Sequence, residues 1–225
     1  MIKKNTKFTV GIIGCGKIGN KRALALTSRT KLLACSDINF ENAKSLAKKF
    51  KAKPFRSWEE LIKIKEIELV IICTYHNTLS VIAKNAIKNN KHVLIEKPGA
   101  INSKQIKDLI KLAKLYKTKI KIGYNHKFHP SIIKAKELIN KNSIGKLMSI
   151  RGRYGHGGRS NYNKEWRFSK SLSGGGQLMD QGSHMIDLSM FFLGDMNLEY
   201  GKVSNLFWKT KLEDNAFFIL KNKKN

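Results

Sequence analysis

A doubly wound α/β domain is what the sequence predicts for residues 1–123, and three observations carry the prediction. Short apolar runs alternate with amphipathic stretches from Phe8 to about Gly123. The runs are continuous rather than alternating, the pattern of parallel strands buried on both faces by helices. A glycine-rich turn, Gly14-Cys15-Gly16-Lys17-Ile18-Gly19, stands directly between the first run and the first amphipathic stretch. After Gly123 the texture changes, and residues 124–225 are taken as a second domain.

Phe8 to Ile13 forms the first buried strand, and Lys17 to Thr27 carries Ile18, Ala23, Leu24 and Leu26 at helical spacing. Lys31 to Ser36 is the second strand, followed by a helix from Phe40 to Phe50. Glu68 to Cys73 and His92 to Ile95 are further strands bounded by polar residues. Leu109, Ile110, Leu112 and Ala113 lie on a later helix, before a strand at Lys119 to Ile122. In the second part a helix is expected over Ser131 to Asn140 and a strand over Leu147 to Tyr154. A polar, Gly-rich segment follows, then a helix from Ser183 to Phe192 and strands near Leu198 to Phe207 and Asn215 to Leu220.

Composition narrows the class. The chain has 225 residues, 41% hydrophobic and 27% charged, too apolar for disorder. No unbroken apolar stretch is longer than that from Leu69 to Cys73, far short of the roughly 20 residues of a membrane span. The start Met1-Ile2-Lys3-Lys4-Asn5 leads into no long apolar region, so no signal peptide is expected. Cys15, Cys35 and Cys73 are odd in number, lack C-x-x-C spacing and sit in apolar surroundings, which points to a soluble, cytoplasmic protein without a disulfide framework or zinc site. The net charge is +28, yet 37 of the 44 basic residues are Lys and 7 are Arg. Lys, Asn (19) and Ile (25) are the residues that AT-rich coding favours, and the Lys residues are spread over polar helix faces. Base readout and phosphate clamping lean on Arg, so a dedicated nucleic-acid face is disfavoured.

The turn Gly14-Cys15-Gly16-Lys17-Ile18-Gly19 has the G-x-G-x-x-G spacing in the strand–turn–helix context that dinucleotide binding requires. Gly14 permits the tight turn, Gly16 lets the backbone approach a pyrophosphate, and Gly19 lets helix and strand pack closely. The helix N-terminus presents N–H groups and a positive dipole end to the anion. Asp37 ends the second strand, 18 residues past Gly19, where a carboxylate can accept hydrogen bonds from the adenosine ribose. It would repel a 2′-phosphate and no Arg follows it closely, so NAD is favoured, with NADP the alternative.

Glu96-Lys97-Pro98 closes the strand ending at Ile95, at the carboxyl edge of the sheet where ligands bind in open α/β folds. A Lys there either points into the crevice or is a surface residue before a loop proline. Gly174-Gly175-Gly176-Gln177-Leu178-Met179-Asp180-Gln181-Gly182-Ser183-His184-Met185-Ile186-Asp187 is the third motif. Asp180 and His184, four apart, share a face if the segment is helical; the alternative is a capping Asp and a packed His.

Together these residues resemble the Gfo/Idh/MocA oxidoreductases, the glucose–fructose oxidoreductase and inositol dehydrogenase relatives. The resemblance covers nearly the whole chain: the glycine turn, Asp37, the E-K-P tripeptide, Tyr124 to Pro130 and the G-G-G-x-x-x-D-x-G-x-H-x-x-D run. It implies a Rossmann domain over 1–123, binding NAD(P). A partial substrate and catalytic α+β domain over 124–225 would be built on an open, mostly antiparallel sheet, through which a homo-oligomer can form. It implies catalytic roles for Lys97, Asp180 and His184. Cofactor contacts are expected from Gly14, Gly16, Lys17, Ile18, Gly19, Asp37, Glu96 and Lys97. Asn125 matches the Asn that opens the family's N-R-R-F-type segment, while His126 and Lys127 stand where Arg is common. Thr74-Tyr75-His76-Asn77 resembles a T-P-x-x turn with Tyr75 replacing Pro, which adds Thr74 and Asn77 to the cofactor contacts. Trp166 and Arg167 resemble a pair found near cofactor and substrate in several members.

Members normally continue for several strands beyond the equivalent of Leu220, so the chain is expected to be C-terminally shortened. The activity that the resemblance implies is hydride transfer between nicotinamide and a carbinol or carbonyl carbon of a sugar, sugar derivative or nucleotide sugar. His184, with an ordinary pKa near 6.5, would be the acid–base group, Lys97 would stabilise alkoxide charge, and Asp180 would orient the hydroxyl or His184. Arg151, Arg153, Arg159, Arg167 and Lys170 surround the Gly-rich segment and suit an anionic sugar; the other reading is a generally basic loop. A cofactor-binding remnant without turnover, and a basic nucleic-acid-associated protein on the same scaffold, are the competing classes.

Overall fold

The computed structural model describes residues 7–223, and the chain divides into two compact units, Met1–Gly123 and Tyr124–Asn225. The N-terminal stretch 1–5 and the last two residues of the lysine-rich tail lie outside the described residues.

The first unit runs β1 (Phe8–Ile13), α1 (Lys17–Leu24), β2 (Thr30–Ser36), α2 (Phe40–Phe50), β3 (Lys53–Phe55), α3 (Trp58–Ile62), β4 (Leu69–Ile72), α4 (His76–Lys88), β5 (His92–Ile95), α5 (Ser103–Leu115) and β6 (Ile120–Ile122). Among the described residues its strands form a six-stranded sheet in the order β3-β2-β1-β4-β5-β6, with every pairing parallel. Successive side chains of a strand point to opposite faces, and here both faces are dry. Ile13, Val70, Ile72 and Val93 pack with Leu79 and Ile87 on one side, while Val10, Ile12, Leu32 and Ile71 pack with Ala43 and Leu46 on the other. That is why the sequence shows runs rather than alternation. The chain order reverses between β1 and β4, and a ligand crevice opens at such a switch point, beyond the carboxyl ends of the strands.

Several elements differ from expectation. Helix α1 ends at Leu24 rather than Thr27. Strand β3 carries Pro54 and is three residues long, too short for a pattern; at the sheet edge a missing N–H is tolerated. Helix α3 is capped by Ser57, whose Oγ accepts from the N–H groups of Glu59 (3.0 Å) and Glu60 (3.3 Å).

The second unit contains α6 (Pro130–Asn140), the short α7 (Lys170–Ser173), α8 (Ser183–Leu193), β7 (Met196–Ser204) and β8 (Asn215–Asn222). Strands β7 and β8 pair antiparallel, with an irregularity between Leu198 and Tyr200. Tight 3-10 turns span His126–Phe128, Tyr162–Lys164 and Trp166–Phe168, and a π-helical turn, Leu178–Gly182, leads into α8. Tyr162, only 2% exposed, packs edge-on to Phe168 and Trp208 and centres a small aromatic core. The strand expected over Leu147 to Tyr154 does not form: the segment is irregular and exposed. An extended segment becomes a strand only against a partner ladder, and none pairs with it among the described residues; a Cβ on Gly152 would strike Met185 of α8. No helix among the described residues is long and apolar enough to cross a membrane.

Candidate functional site

The three motif glycines of the first unit are required to different degrees. Gly14 has φ +90°, and a Cβ there would lie 2.5 Å from the Cys73 carbonyl oxygen. A Cβ on Gly19 would overlap the Gly14 carbonyl oxygen. At Gly16 a Cβ would meet nothing within 4 Å, and φ is −70°. Neither packing nor backbone conformation demands glycine at that position, which leaves the close approach of a ligand. Gly16 caps α1 without a side-chain acceptor for the first N–H groups, and Gly16, Lys17 and Ile18 are exposed. A helix start of this kind suits a pyrophosphate.

Asp37 lies just past β2, and its carboxylate holds the turn. Oδ2 accepts from the Cys15 N–H at 2.7 Å and Oδ1 from the Asn39 N–H at 2.8 Å. Next to it Ile38 is 86% exposed, an apolar surface at the same edge that the sequence pattern did not single out. The Asp37 N–H donates to the Phe55 carbonyl (3.3 Å), so Arg56, stacked on Phe40 at 4.5 Å, follows directly on a residue that bonds Asp37. No nearby Arg follows Asp37 in sequence; the β2–β3 pairing brings Phe55, the residue before Arg56, onto the Asp37 N–H.

Thr74 and Asn77 follow β4 across the switch point. Thr78 donates its hydroxyl to Thr74 Oγ1 (2.8 Å), and the Asn77 Oδ1 is buried with no hydrogen-bond partner among the described residues. An orphaned acceptor at this edge fits a donor brought by a ligand. Beyond β5, Glu96 pairs with Arg22 of α1, and Lys97 is half-buried. The Cys15 and Cys73 thiols are pushed up, the first by its hydrogen bond to Cys35 and by burial, the second by burial and by Glu96. They are not thiolates at neutral pH, and nucleophilic sulfur chemistry has no candidate in them.

In the second unit Asp180 and His184 are 2% and 6% exposed. Asp180 sits in the π-helical turn, a deformation often found at functional sites. Its Oδ2 accepts from Arg167 Nε (3.1 Å) and Gln181 Nε2 (2.9 Å). Arg167 also donates to Glu165 (2.9 Å) and lies over the Trp166 ring at 4.8 Å; Arg159 forks onto the same Glu165 at 2.7 Å through two nitrogens. Arg159 and Arg167 therefore have carboxylate partners, which the basic cluster in the sequence did not disclose, whereas Arg151 and Arg153 are exposed on the irregular segment. Asn125, exposed, precedes the 3-10 turn that carries His126 and Lys127.

The turn into α8 is held from a distant part of the chain. The Gln177 N–H donates to the Glu213 carbonyl (2.9 Å), and Glu213 Oε1 accepts from the N–H groups of Gly176 (2.9 Å) and Leu178 (3.3 Å). A Cβ on Gly176 would overlap the Glu213 carbonyl oxygen, which explains that glycine. Nothing in the sequence pattern links Glu213 to the glycine run.

Residues 8–124 match an oxidoreductase family described as having an NAD-binding Rossmann fold, and residues 132–225 match the Gfo/Idh/MocA C-terminal domain. Glucose-6-phosphate 3-dehydrogenase of Bacillus subtilis is 31% identical over 186 residues, covering 80% of this chain and 52% of that protein. Levoglucosan dehydrogenase of Pseudarthrobacter phenanthrenivorans is 28% identical over 203 residues, covering 84% and 52%. The chain spans about half the length of the curated relatives it matches. A levoglucosan dehydrogenase solved in complex with NADH shares the fold with a TM-score of 0.91 at 24% identity, over 98% of this chain and 65% of that one. An NAD-binding oxidoreductase from Klebsiella pneumoniae has a TM-score of 0.86 at 26% identity, over 97% and 64%.

Proposed function

The chain belongs to the Gfo/Idh/MocA oxidoreductases, whose first domain is an NAD-binding Rossmann fold, and from that premise we propose that it catalyses hydride transfer between nicotinamide and the carbinol or carbonyl carbon of a sugar or sugar derivative. The observation that carries the reading is Gly16: it stands between two glycines that the backbone requires, and a Cβ there would meet nothing within 4 Å. The sugar class is supported by the relatives named as sugar dehydrogenases, one acting on a phosphorylated sugar. Nucleotide sugars belong to the same anionic class, for which exposed Arg151 and Arg153 are the candidate contacts.

When bound, nicotinamide supplies or accepts the hydride at C4. Gly14, Gly16, Gly19 and the first N–H groups of α1, from Lys17 and Ile18 onward, hold the pyrophosphate. Asp37, fixed by two backbone donors, accepts the ribose hydroxyls and disfavours a 2′-phosphate, so NAD is the cofactor proposed. Thr74, Asn77, Glu96 and Asn125 complete the cofactor contacts, with Trp166 and Arg167. His184 takes the hydroxyl proton in oxidation and returns it in reduction. Lys97 stabilises the developing alkoxide, and Asp180, anchored by Arg167, orients the hydroxyl or the His184 ring. The homo-oligomer expected would use the β7–β8 sheet, where Leu198, Tyr200, Phe217 and Ile219 are exposed.

The test has two arms. Calorimetric titration of the purified chain should give saturable NADH binding, tighter than NADPH. In a screen of sugars and sugar phosphates, His184→Ala should lower turnover roughly 10²–10⁴-fold with NADH affinity retained. Near-wild-type turnover in His184→Ala, or a folded chain that binds neither nucleotide, would overturn the proposal.

A further inference from the structure

The 3-10 turn His126–Phe128 is docked on α8 by two contacts in register. His126 stacks face to face on His184, with ring centroids 4.0 Å apart and planes 11° apart. One residue on, Lys127 Nζ pairs with Asp187 Oδ1 at 2.6 Å. His184 and Asp187 are three apart on α8 and so lie on one helix face. The ion pair thus holds the turn at the height that keeps the two imidazoles parallel. Tyr124 meets the His184 ring edge-on at 5.5 Å and 84°. Tyr154 lies 6.1 Å from His184, and its hydroxyl is 3.4 Å from His126 Nε2. A ring bounded on its face by one aromatic and at its edge by another has little freedom to rotate.

We propose that His126 is a positioning residue for His184: the stacked imidazole fixes the plane of the buried ring and, by competing for the same proton, keeps His184 in the neutral form that can accept one. It rests on the reading of His184 as the acid–base group. Two cationic imidazoles at 4.0 Å repel, so protonation of one opposes protonation of the other. His126 is half-buried whereas His184 is buried, and the proton is easier to solvate on the more accessible ring. Tyr124, Tyr154, Asp180 with its partner Arg167, and Asp187 with its partner Lys127 are titratable or charged groups around the pair within this unit. The tyrosines stay neutral at working pH, because burial pushes both up. The two carboxylates have cationic partners, and the titratable ring stacked on His184 is that of His126.

The experiment is a nuclear magnetic resonance titration of the histidine ring signals of the 225-residue chain, assigned by single substitutions. His126→Phe keeps an aromatic ring on the stack and removes the competing proton. In that variant the His184 midpoint should rise by about one pH unit; in His184→Phe the His126 midpoint should rise by the same amount, because coupling is reciprocal. A His184 midpoint unmoved in folded His126→Phe overturns the proposal. Should that variant not fold, the unsubstituted chain decides. Coupled rings give broadened, two-step curves at both signals, and two independent single-site curves overturn it. These readouts need no turnover, so an inactive chain with coupled rings would sink the proposed function and leave the coupling standing.

Discussion

Gly14, Gly16 and Gly19 close a turn between neighbouring elements, and the atoms that confine Gly14 and Gly19 lie in that turn or at the end of adjacent β4. Gly174, Gly175 and Gly176 lead toward the catalytic candidates under a different regime. Gly174 ends α7 at φ +78°, and Gly176 is pressed against Glu213, 37 residues away. Gly14 and Gly19 therefore owe their need for glycine to the turn's own φ and to the Gly14–Gly19 contact, with Cys73 of the neighbouring strand end added. Gly176 owes its need to the loop before β8. A glycine pattern of the first kind can be interpreted from spacing; one of the second kind can be recognised but not explained until the fold is known.

Substitutions can break or sharpen that contrast. Gly19→Ala puts a methyl into the Gly14 carbonyl, a clash with backbone that cannot swing aside, and should cost about 3 kcal/mol or more in urea unfolding. An unfolding midpoint close to wild type would mean that the turn is far softer than its contacts imply. Glu213→Ala strips the acceptor from two backbone N–H groups and should cost about 1–3 kcal/mol. It should also lower turnover, since the turn it holds leads into Asp180 and His184; full stability and full turnover together would erase the distinction between the two motifs. Gly16→Ala, at the N-cap of α1, should lower the unfolding free energy by about 1 kcal/mol at most and weaken NADH roughly tenfold, about 1.4 kcal/mol. Unchanged affinity would remove the argument for a ligand at that glycine.

The smallest effect expected belongs to Asp214, beside Glu213. Partial burial pushes its carboxyl up, but the N–H groups of Leu206, Phe207 and Trp208 (2.7–2.8 Å) and the Asn215 amide outweigh that and hold it at about 2. The folded value lies below the roughly 3.9 of an unfolded Asp, so its contribution is present above about pH 4 and is lost as pH falls through about 2. The difference in unfolding midpoint between wild type and Asp214→Asn should therefore shrink between pH 4 and pH 2. A constant difference over that range would show that the carboxylate's charge is not what ties the loop.

The first unit was legible because its signals are local. Continuous runs at Phe8–Ile13, Leu69–Ile72 and His92–Ile95 mean burial on both faces, and Asn39 capping α2 through the Glu41 N–H is a contact two residues long. Strand β3, three residues with Pro54, has no local signature, whereas α3, capped by Ser57, and α4, with Leu79, Ile82, Ala83, Ala86 and Ile87 at helical spacing, carry local signals that the expectation did not include. In the second unit a strand is expected over Leu147 to Tyr154, but a strand is a property of pairs.

By itself the sequence determined the parallel α/β sheet, the glycine turn, the acidic residue after β2 and the identity of the buried Asp180 and His184, because period, spacing and residue chemistry act over a few positions. Only the tertiary structure decided what those residues touch. It set Arg167 on Asp180, Arg22 on Glu96, Glu213 on the glycine run, the Phe55 carbonyl on the Asp37 N–H, and the His126 ring against His184. Each of these contacts joins positions far apart in sequence or on different elements. Their free energies appear only when the packed fold brings the partners together and excludes water from between them.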